Sequence, residues 1–386
     1  MKHQDVIIIG GGLIGACCAD VLTGKGLETT LIERRFPASG SSRACDGLIL
    51  LWDKNPGPEM ALGQASVGLW ENLVPQLDGD VEFRQSGTVL VAEDEGSLER
   101  SRQIVADIAA QGITATLLER RELQEIEPAL AVDLAGGAIF PQDYQIDPRR
   151  ATFSILRKAQ RQGLQLLNGE EVIELRRHPG RSGGWEAATQ KHVYAADYIV
   201  CAAGVWTTKL LHMLAIELPI RPRKGQILVI KAPRDLIRHP LLEGGYGDAV
   251  HAGTDDLQVA LVAEMTPAGT MLVGSSRQFA GFDTDVSRDV LQALARRATR
   301  FIPELARAQW IRSYAGLRPW SPDHLPLIGP VAGFEGLYVA TGHEGAGICL
   351  APVTGELIGE WIAEEISPSL ADAISPGRFR DYHPEP

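Results

Sequence analysis

Three stretches of the chain share one hydrophobic pattern: a short aliphatic run ends in glycine and small residues, and a helix-spaced apolar pattern follows. Residues 6–9 are a β-branched run. Gly10-Gly11-Gly12-Leu13-Ile14-Gly15 follows at once, and Ile14, Cys18, Val21 and Leu22 recur at helical spacing until Gly24 and Gly26. A second β-prone run, 29–32, ends at Glu33, so the first 33 residues predict a strand–helix–strand unit. Residues 198–201 end in Ala202-Ala203-Gly204-Val205-Trp206, and a helix with Leu210, Leu211 and Leu214 is expected from Thr207. Residues 337–340 lead into Thr341-Gly342-His343-Glu344-Gly345-Ala346-Gly347-Ile348. Leu350, Thr354, Ile358, Ile362 and Ile366 then share one helical face. Between these stretches, 83–92, 171–175, 225–231, 257–263 and 270–275 read as strands, and 97–111 and 286–300 as helices.

This order predicts an α/β protein whose dinucleotide-binding domain is discontinuous, built from 1–75, 140–210 and 310–386. Residues 76–139 and 211–309 form a second, α+β lobe with a mixed sheet. Two lobes suit the length, since 386 residues exceed one comfortable hydrophobic core.

The first unit carries recognisable chemistry. In a GxGxxG turn between strand and helix, Gly10 permits the tight turn, Gly12 lets backbone approach a pyrophosphate, and Gly15 allows close helix–strand packing. An acid about 20 positions on accepts ribose hydroxyls. Glu33 stands there and disfavours a 2′-phosphate, which argues against NADP and leaves NAD and FAD open. Arg34-Arg35 is followed by Gly40-Ser41-Ser42-Arg43 and Gly47-Leu48, small and hydroxyl residues suited to a second stretch of diphosphate and a flat ring. The segment Ala315-Gly316-Leu317-Arg318-Pro319 places one cation among apolar residues, which singles out Arg318.

Composition narrows the partners. Lys and Arg number 37 against 49 Asp and Glu, a formal charge of −12, and no basic run tracks a phosphate backbone, so nucleic acid is excluded as an expected partner. Five cysteines, odd in number and without a CxxC pair, indicate neither a disulfide framework nor a metal centre. A reducing, cytoplasmic setting is expected. The N-terminal stretch reads as strand and turn rather than a secretory signal, and no run approaches the roughly 20 apolar residues of a membrane span. Peripheral attachment to the inner face of a membrane stays open.

The GxGxxG turn with Glu33, the SSRxxxG segment, AAGxW, GLRP with PDxxPLIG, and GHxxxGI together resemble the D-amino-acid oxidase and glycine oxidase superfamily of FAD enzymes, along essentially the whole chain. The resemblance implies FAD held by Gly10, Gly12, Leu13, Ile14, Gly15, Glu33, Arg34, Ser41, Ser42, Arg43, Gly47 and Leu48. It implies contacts from Val172 to the adenine, from Ala203, Gly204 and Trp206 on the flavin side, and from Gly342, Gly345, Gly347 and Ile348 at the pyrimidine edge. Arg318 would clamp a substrate carboxylate through its bidentate fork. The implied reaction is hydride transfer from the substrate α carbon to flavin N5, leaving an imine that hydrolyses. A helix beginning near Ile348 would turn its positive end to the flavin.

The GHEGxGI variant and the stretch 45–58 are similar to the FAD-bearing β subunits of heteromeric D-hydroxyproline dehydrogenase, opine oxidase and hydrogen cyanide synthase. That likeness implies a D-amino or cyclic imino acid substrate, D-hydroxyproline first, and partner subunits with further FAD, FMN or an iron–sulfur cluster as electron acceptors. Glycine or sarcosine oxidation, including cyanide formation from glycine as a hydrogen cyanide synthase subunit, and a non-catalytic FAD-holding role are the competing readings. Individual residues have plainer alternatives: Arg318 pairing with Asp323, His343 orienting its turn, Glu344 solvated at a rim, Cys201 and Cys349 in the core, Trp206 and Trp320 packing only. Tyr246, Gln258 and Arg277 are candidates for lining the substrate side.

Overall fold

The computed structural model describes residues 3–178, 184–247, 256–363, 368–380 and 382. Two eight-stranded sheets organise them. The first has His3–Ile9 at its centre, parallel to Thr29–Glu33 on one side and Val193–Cys201 on the other. Gln165–Asn168 and Leu337–Thr341 extend it in parallel, and Leu327–Pro330 closes one edge antiparallel. Val6, Ile7 and Ile8 are fully buried because helices or strands cover both faces, which is why the run is continuously apolar rather than alternating. The helix Leu13–Gly24 packs between Pro148–Arg161 and Ala351–Ala363. Cys201 and Cys349 lie in the core. Leu350, Thr354 and Ile358 share the buried face of the last of these helices and its approach, while Ile366 lies outside the described residues.

The second sheet runs in the order Gln309–Trp320, Arg221–Lys231, Thr270–Phe279, Gln258–Met265, Leu241–Glu243, Thr88–Ala92, Gly136–Phe140 and Thr116–Glu119. Its pairings are antiparallel except Leu241–Glu243 with Thr88–Ala92, so the sheet is mixed. The helix Arg288–Phe301 covers it through Val290, Leu294, Ala298 and Phe301, spaced at helical intervals along one stripe.

Two expectations change. The strand anticipated over 83–92 is confined to Thr88–Ala92. Gly87 turns the chain with φ +62°, and Phe83 instead stacks on Tyr144, centroids 4.8 Å apart, beside the first core. The strand Gln309–Trp320, placed from sequence with the dinucleotide lobe, hydrogen-bonds along Arg221–Lys231 in the second sheet. Arg318 therefore reaches the site from the second lobe.

Candidate active site

A cavity of about 490 Å³ lies between the two sheets, at the carboxyl ends of the central parallel strands. Gly10 makes the turn out of the first strand with φ +115°, and a Cβ there would lie 2.5 Å from the Ala202 carbonyl oxygen. Gly10, Gly12, Leu13 and Ile14 line the cavity. Gly15 does not: a Cβ on it would stand 2.0 Å from the Gly10 carbonyl, so it brings helix and strand together rather than facing a ligand. Glu33 lines the cavity too. Its carboxylate accepts the Gly11 N–H at 2.8 Å and the Arg35 N–H at 2.9 Å, which fixes the acid at the end of the second strand.

The segment after Glu33 folds back over this turn. Ser42 Oγ accepts the Leu13 N–H at 3.0 Å at the start of the first helix, and Ser41 Oγ donates to the Leu317 carbonyl in the second lobe. Both serines line the cavity. Arg43 departs from expectation. It is exposed, with its guanidinium 5.9 Å from the Phe36 ring, because the single 3₁₀ turn Ser41–Arg43 directs it to solvent. Gly47 and Leu48 are also outside the lining: a Gly47 Cβ would meet the Ile146 carbonyl at 2.2 Å, and Leu48 joins the short pairing with Tyr144–Gln145. They hold the loop in place.

Val172, Ala203, Gly204 and Trp206 all line the cavity. Trp206 is more than packing, since the Arg34 guanidinium lies 4.0 Å above its ring. Gly345, Gly347 and Ile348 form the floor opposite. Gly342, with φ +77°, is displaced from the lining and packs against Leu327, where a Cβ would approach to 2.9 Å. The expected helix at Ile348 begins instead at Ala351, after a 3₁₀ turn Glu344–Ala346. His343 orients that turn: its Nε2 lies 2.9 Å from Thr354 Oγ1, and burial pushes its pKa down to about 3, so the ring is neutral.

At the second-lobe end Arg318 lines the cavity, and its Nη1 donates to the Ser276 carbonyl at 3.0 Å. Gly225 makes the room. A Cβ there would lie 2.2 Å from Arg318 Nη1. Asp323 is not its partner, because that carboxylate accepts from the Arg378 guanidinium at 2.7 Å and 3.0 Å. Arg223 stands directly across the strand pair from Arg318, and Arg277 reaches in from the neighbouring strand. Like charges in such register repel, and Glu344 offsets them. Its side chain is 5% exposed, so it is not a solvated rim residue; it accepts from Arg223 at 3.1 Å and has Arg277 Nε at 3.8 Å. Burial pushes the Glu344 pKa up, but Arg277, Arg318 and Arg223 outweigh it and hold the carboxyl below its ordinary range. Its backbone has φ +43°, a conformation rare outside glycine.

Tyr246 lines the cavity with the Arg277 guanidinium 4.7 Å from its ring, whereas Arg277 sits behind it and Gln258 stays outside. Trp320 packs edge-on against Phe279 at 5.2 Å, away from the cavity. Asp46, Gly225 and the buried position of Glu344 were not read from sequence. Gly225, expected as the first residue of a strand, lies inside the longer strand Arg221–Lys231, where a glycine marks a close approach.

The lining fits FAD. The cradle at Gly10 leaves no room for a Cβ, hydroxyls and a helix start adjoin it, an acid stands at the second strand end, and Ala203, Gly204 and Gly347 leave a smooth wall. Comparison agrees. A family model described as FAD dependent oxidoreductase matches residues 5–361. Hydrogen cyanide synthase subunit HcnC of Pseudomonas aeruginosa is 28% identical over 100% of this chain and 98% of its own. The crystal structure of glycine oxidase from Geobacillus kaustophilus superposes with a TM-score of 0.87 at 26% identity, covering 97% of this chain and 98% of the other. That of L-proline dehydrogenase from P. horikoshii gives 0.86 at 25%, covering 98% of each chain.

Proposed function

The chain belongs to the family of FAD-dependent oxidoreductases that includes glycine oxidase, and from that premise we propose that it dehydrogenates a small D-amino or cyclic imino acid, D-hydroxyproline first. In this reading it is the FAD-bearing subunit of a heteromeric cytoplasmic complex whose partners carry the electrons onward. The observation that supports it is Arg318: a guanidinium in the cavity wall, positioned by a carbonyl and a missing side chain, on the second sheet whereas Glu33 ends a strand of the first. A planar fork of that kind suits a carboxylate. When bound, FAD supplies the acceptor for two electrons. The chain's own residues bind and orient: Arg318 takes the carboxylate, and the Glu344 carboxylate keeps Arg223 and Arg277 occupied so that they do not compete for it.

Two similar proteins lend support in part: one is named as a subunit of a synthase, in line with a subunit role, and one as an L-proline dehydrogenase, in line with a cyclic imino acid though of the opposite configuration. No described helix is long and apolar enough to cross a membrane. Anaerobic mixing of the FAD-loaded chain with D-hydroxyproline should bleach the flavin, and Arg318→Lys should lower kcat/KM by about 10- to 100-fold, the worth of a charge-assisted hydrogen bond. Absence of bleaching with any amino or imino acid would sink the catalytic reading. Glycine is the second reading, favoured by likeness to glycine oxidase; hydrogen peroxide formed from glycine in air by this chain alone would establish it instead.

A further inference from the structure

Among the described residues five carboxylates line the cavity: Glu33, Asp46, Glu170, Glu171 and Glu344. Glu33, Glu170 and Glu171 cluster away from Arg318, with the Glu170 N–H on the Glu33 carbonyl at 3.1 Å. Glu344 is committed to Arg223. Asp46 is different. Among the described residues it forms no ion pair with a lysine, arginine or histidine, although Arg318 and Arg277 are near enough to act on its charge.

Its position is built from both sides. Ala44 lies against Gly316, where a Cβ would come within 2.7 Å, and the Tyr314 hydroxyl lies 3.5 Å from the Cys45 carbonyl. On the other side the Gly47 N–H is held by both oxygens of Glu264, at 3.0 Å and 3.1 Å. The segment bearing Asp46 is thus held by two strands of the second sheet, Gln309–Trp320, which carries Arg318, and Gln258–Met265, which carries Glu264. Burial raises the pKa of Asp46 against the pull of Arg318, Arg277 and the Leu48 N–H, and Glu264 is pushed up to about 8, by burial and then by Asp46.

Resting on the reading that Arg318 receives a substrate carboxylate, we propose that Asp46 receives the N–H of the same substrate's amino or imino nitrogen. The site then recognises an amino acid by both polar ends, a cation for its carboxylate and a carboxyl oxygen for its nitrogen. A carboxylate lacking an N–H would meet Asp46 with an oxygen or a methylene and gain nothing, so Asp46 sets the preference for nitrogen-bearing acids.

Two flat ligands that cannot be dehydrogenated at an α carbon test this by binding alone: pyrrole-2-carboxylate, with a ring N–H, and 2-furoate, with a ring oxygen in its place. Each is titrated into the FAD-loaded chain and followed by the flavin absorbance shift. Pyrrole-2-carboxylate is expected to bind roughly tenfold tighter or more. Asp46→Ala should bring the ratio close to one without weakening 2-furoate. Asp46→Asn, which keeps the volume, should bring it part way, and it carries the test if the alanine variant does not retain FAD. Equal binding of the two ligands by the unaltered chain, or an unchanged ratio in the variants, overturns the assignment of Asp46 alone. Failure of both ligands to bind the unaltered chain overturns the carboxylate site at Arg318, and Asp46 with it.

Discussion

Gly225 and Arg318 face each other closely enough that one methyl group separates a working site from a misaligned one. A Cβ at Gly225 would stand 2.2 Å from Arg318 Nη1, 2.8 Å from Cζ and 3.0 Å from Nη2. All three atoms belong to the far end of a flexible side chain, so the guanidinium can retreat by about 1 Å to ordinary contact without moving backbone. That retreat breaks its bond to the Ser276 carbonyl and would displace the fork from the carboxylate proposed to bind it. A displacement of this size costs on the order of 10²-fold in rate, or about 3 kcal/mol of transition-state stabilisation. The cost in folding should be small, because alanine suits a strand at least as well as glycine. Gly225→Ala is therefore expected to retain FAD, to melt within a few degrees of the unaltered protein, and to lose about 10² in kcat/KM. Anaerobic stopped-flow reduction gives the rate, and thermal unfolding gives the stability. Activity within threefold of the unaltered protein would refute the claim that this contact positions Arg318. So would a large loss of stability, which would place the damage in the backbone.

The cross-strand partner of Gly225 offers a contrast. At Gly316 a Cβ would meet Ala44 Cβ at 2.7 Å and its carbonyl oxygen at 2.8 Å, so Gly316→Ala should push the 41–47 loop away and weaken FAD retention as well as activity, read from flavin fluorescence after gel filtration. Glu344→Gln removes the buried carboxylate that accepts from Arg223 and faces Arg277, and should destabilise the fold by about 2 kcal/mol in urea unfolding. Because the folded-state pKa of Glu344 is depressed, this advantage of the acid is present above the ordinary carboxylate range and is lost as pH falls through the folded value. His343 acts in the same pH sense for a different reason. The unfolded chain protonates its imidazole below about 6.5, while burial delays this to about 3 in the folded state, so stability should fall as pH drops through that window by up to about 1.4 kcal/mol per unit. His343→Gln should remove that part of the slope in urea midpoints compared at roughly pH 5 and pH 7.

The dinucleotide half of the site was legible in the chain because its parts are sequence neighbours. Gly10 needs its left-handed turn, Gly15 its close packing and Glu33 its place at a strand end wherever a βαβ unit forms, and the structure puts Gly10 and Gly15 at those duties. The aliphatic runs likewise announced buried parallel strands, since a strand covered on both faces has no polar side to display. Arg43, Gly47 and Gly342 fell in the right segments, but a segment pattern does not say which side chain faces the cavity. That depends on one turn of 3₁₀ helix and on where the Ile146 carbonyl and Leu327 lie.

The substrate half was decided by tertiary structure. Arg318 stands across from Arg223 only because Gln309–Trp320 pairs with Arg221–Lys231 in one register, and a shift of one residue would turn the guanidinium to the other face. Glu344 looked like a surface residue because charged side chains usually are. Its burial follows from three arginines converging from three strands separated by tens of residues. What the chain specifies alone is the local geometry that short-range sterics enforce; which charges meet, and so what the cavity can hold at its second-lobe end, is set by strand pairing between distant segments.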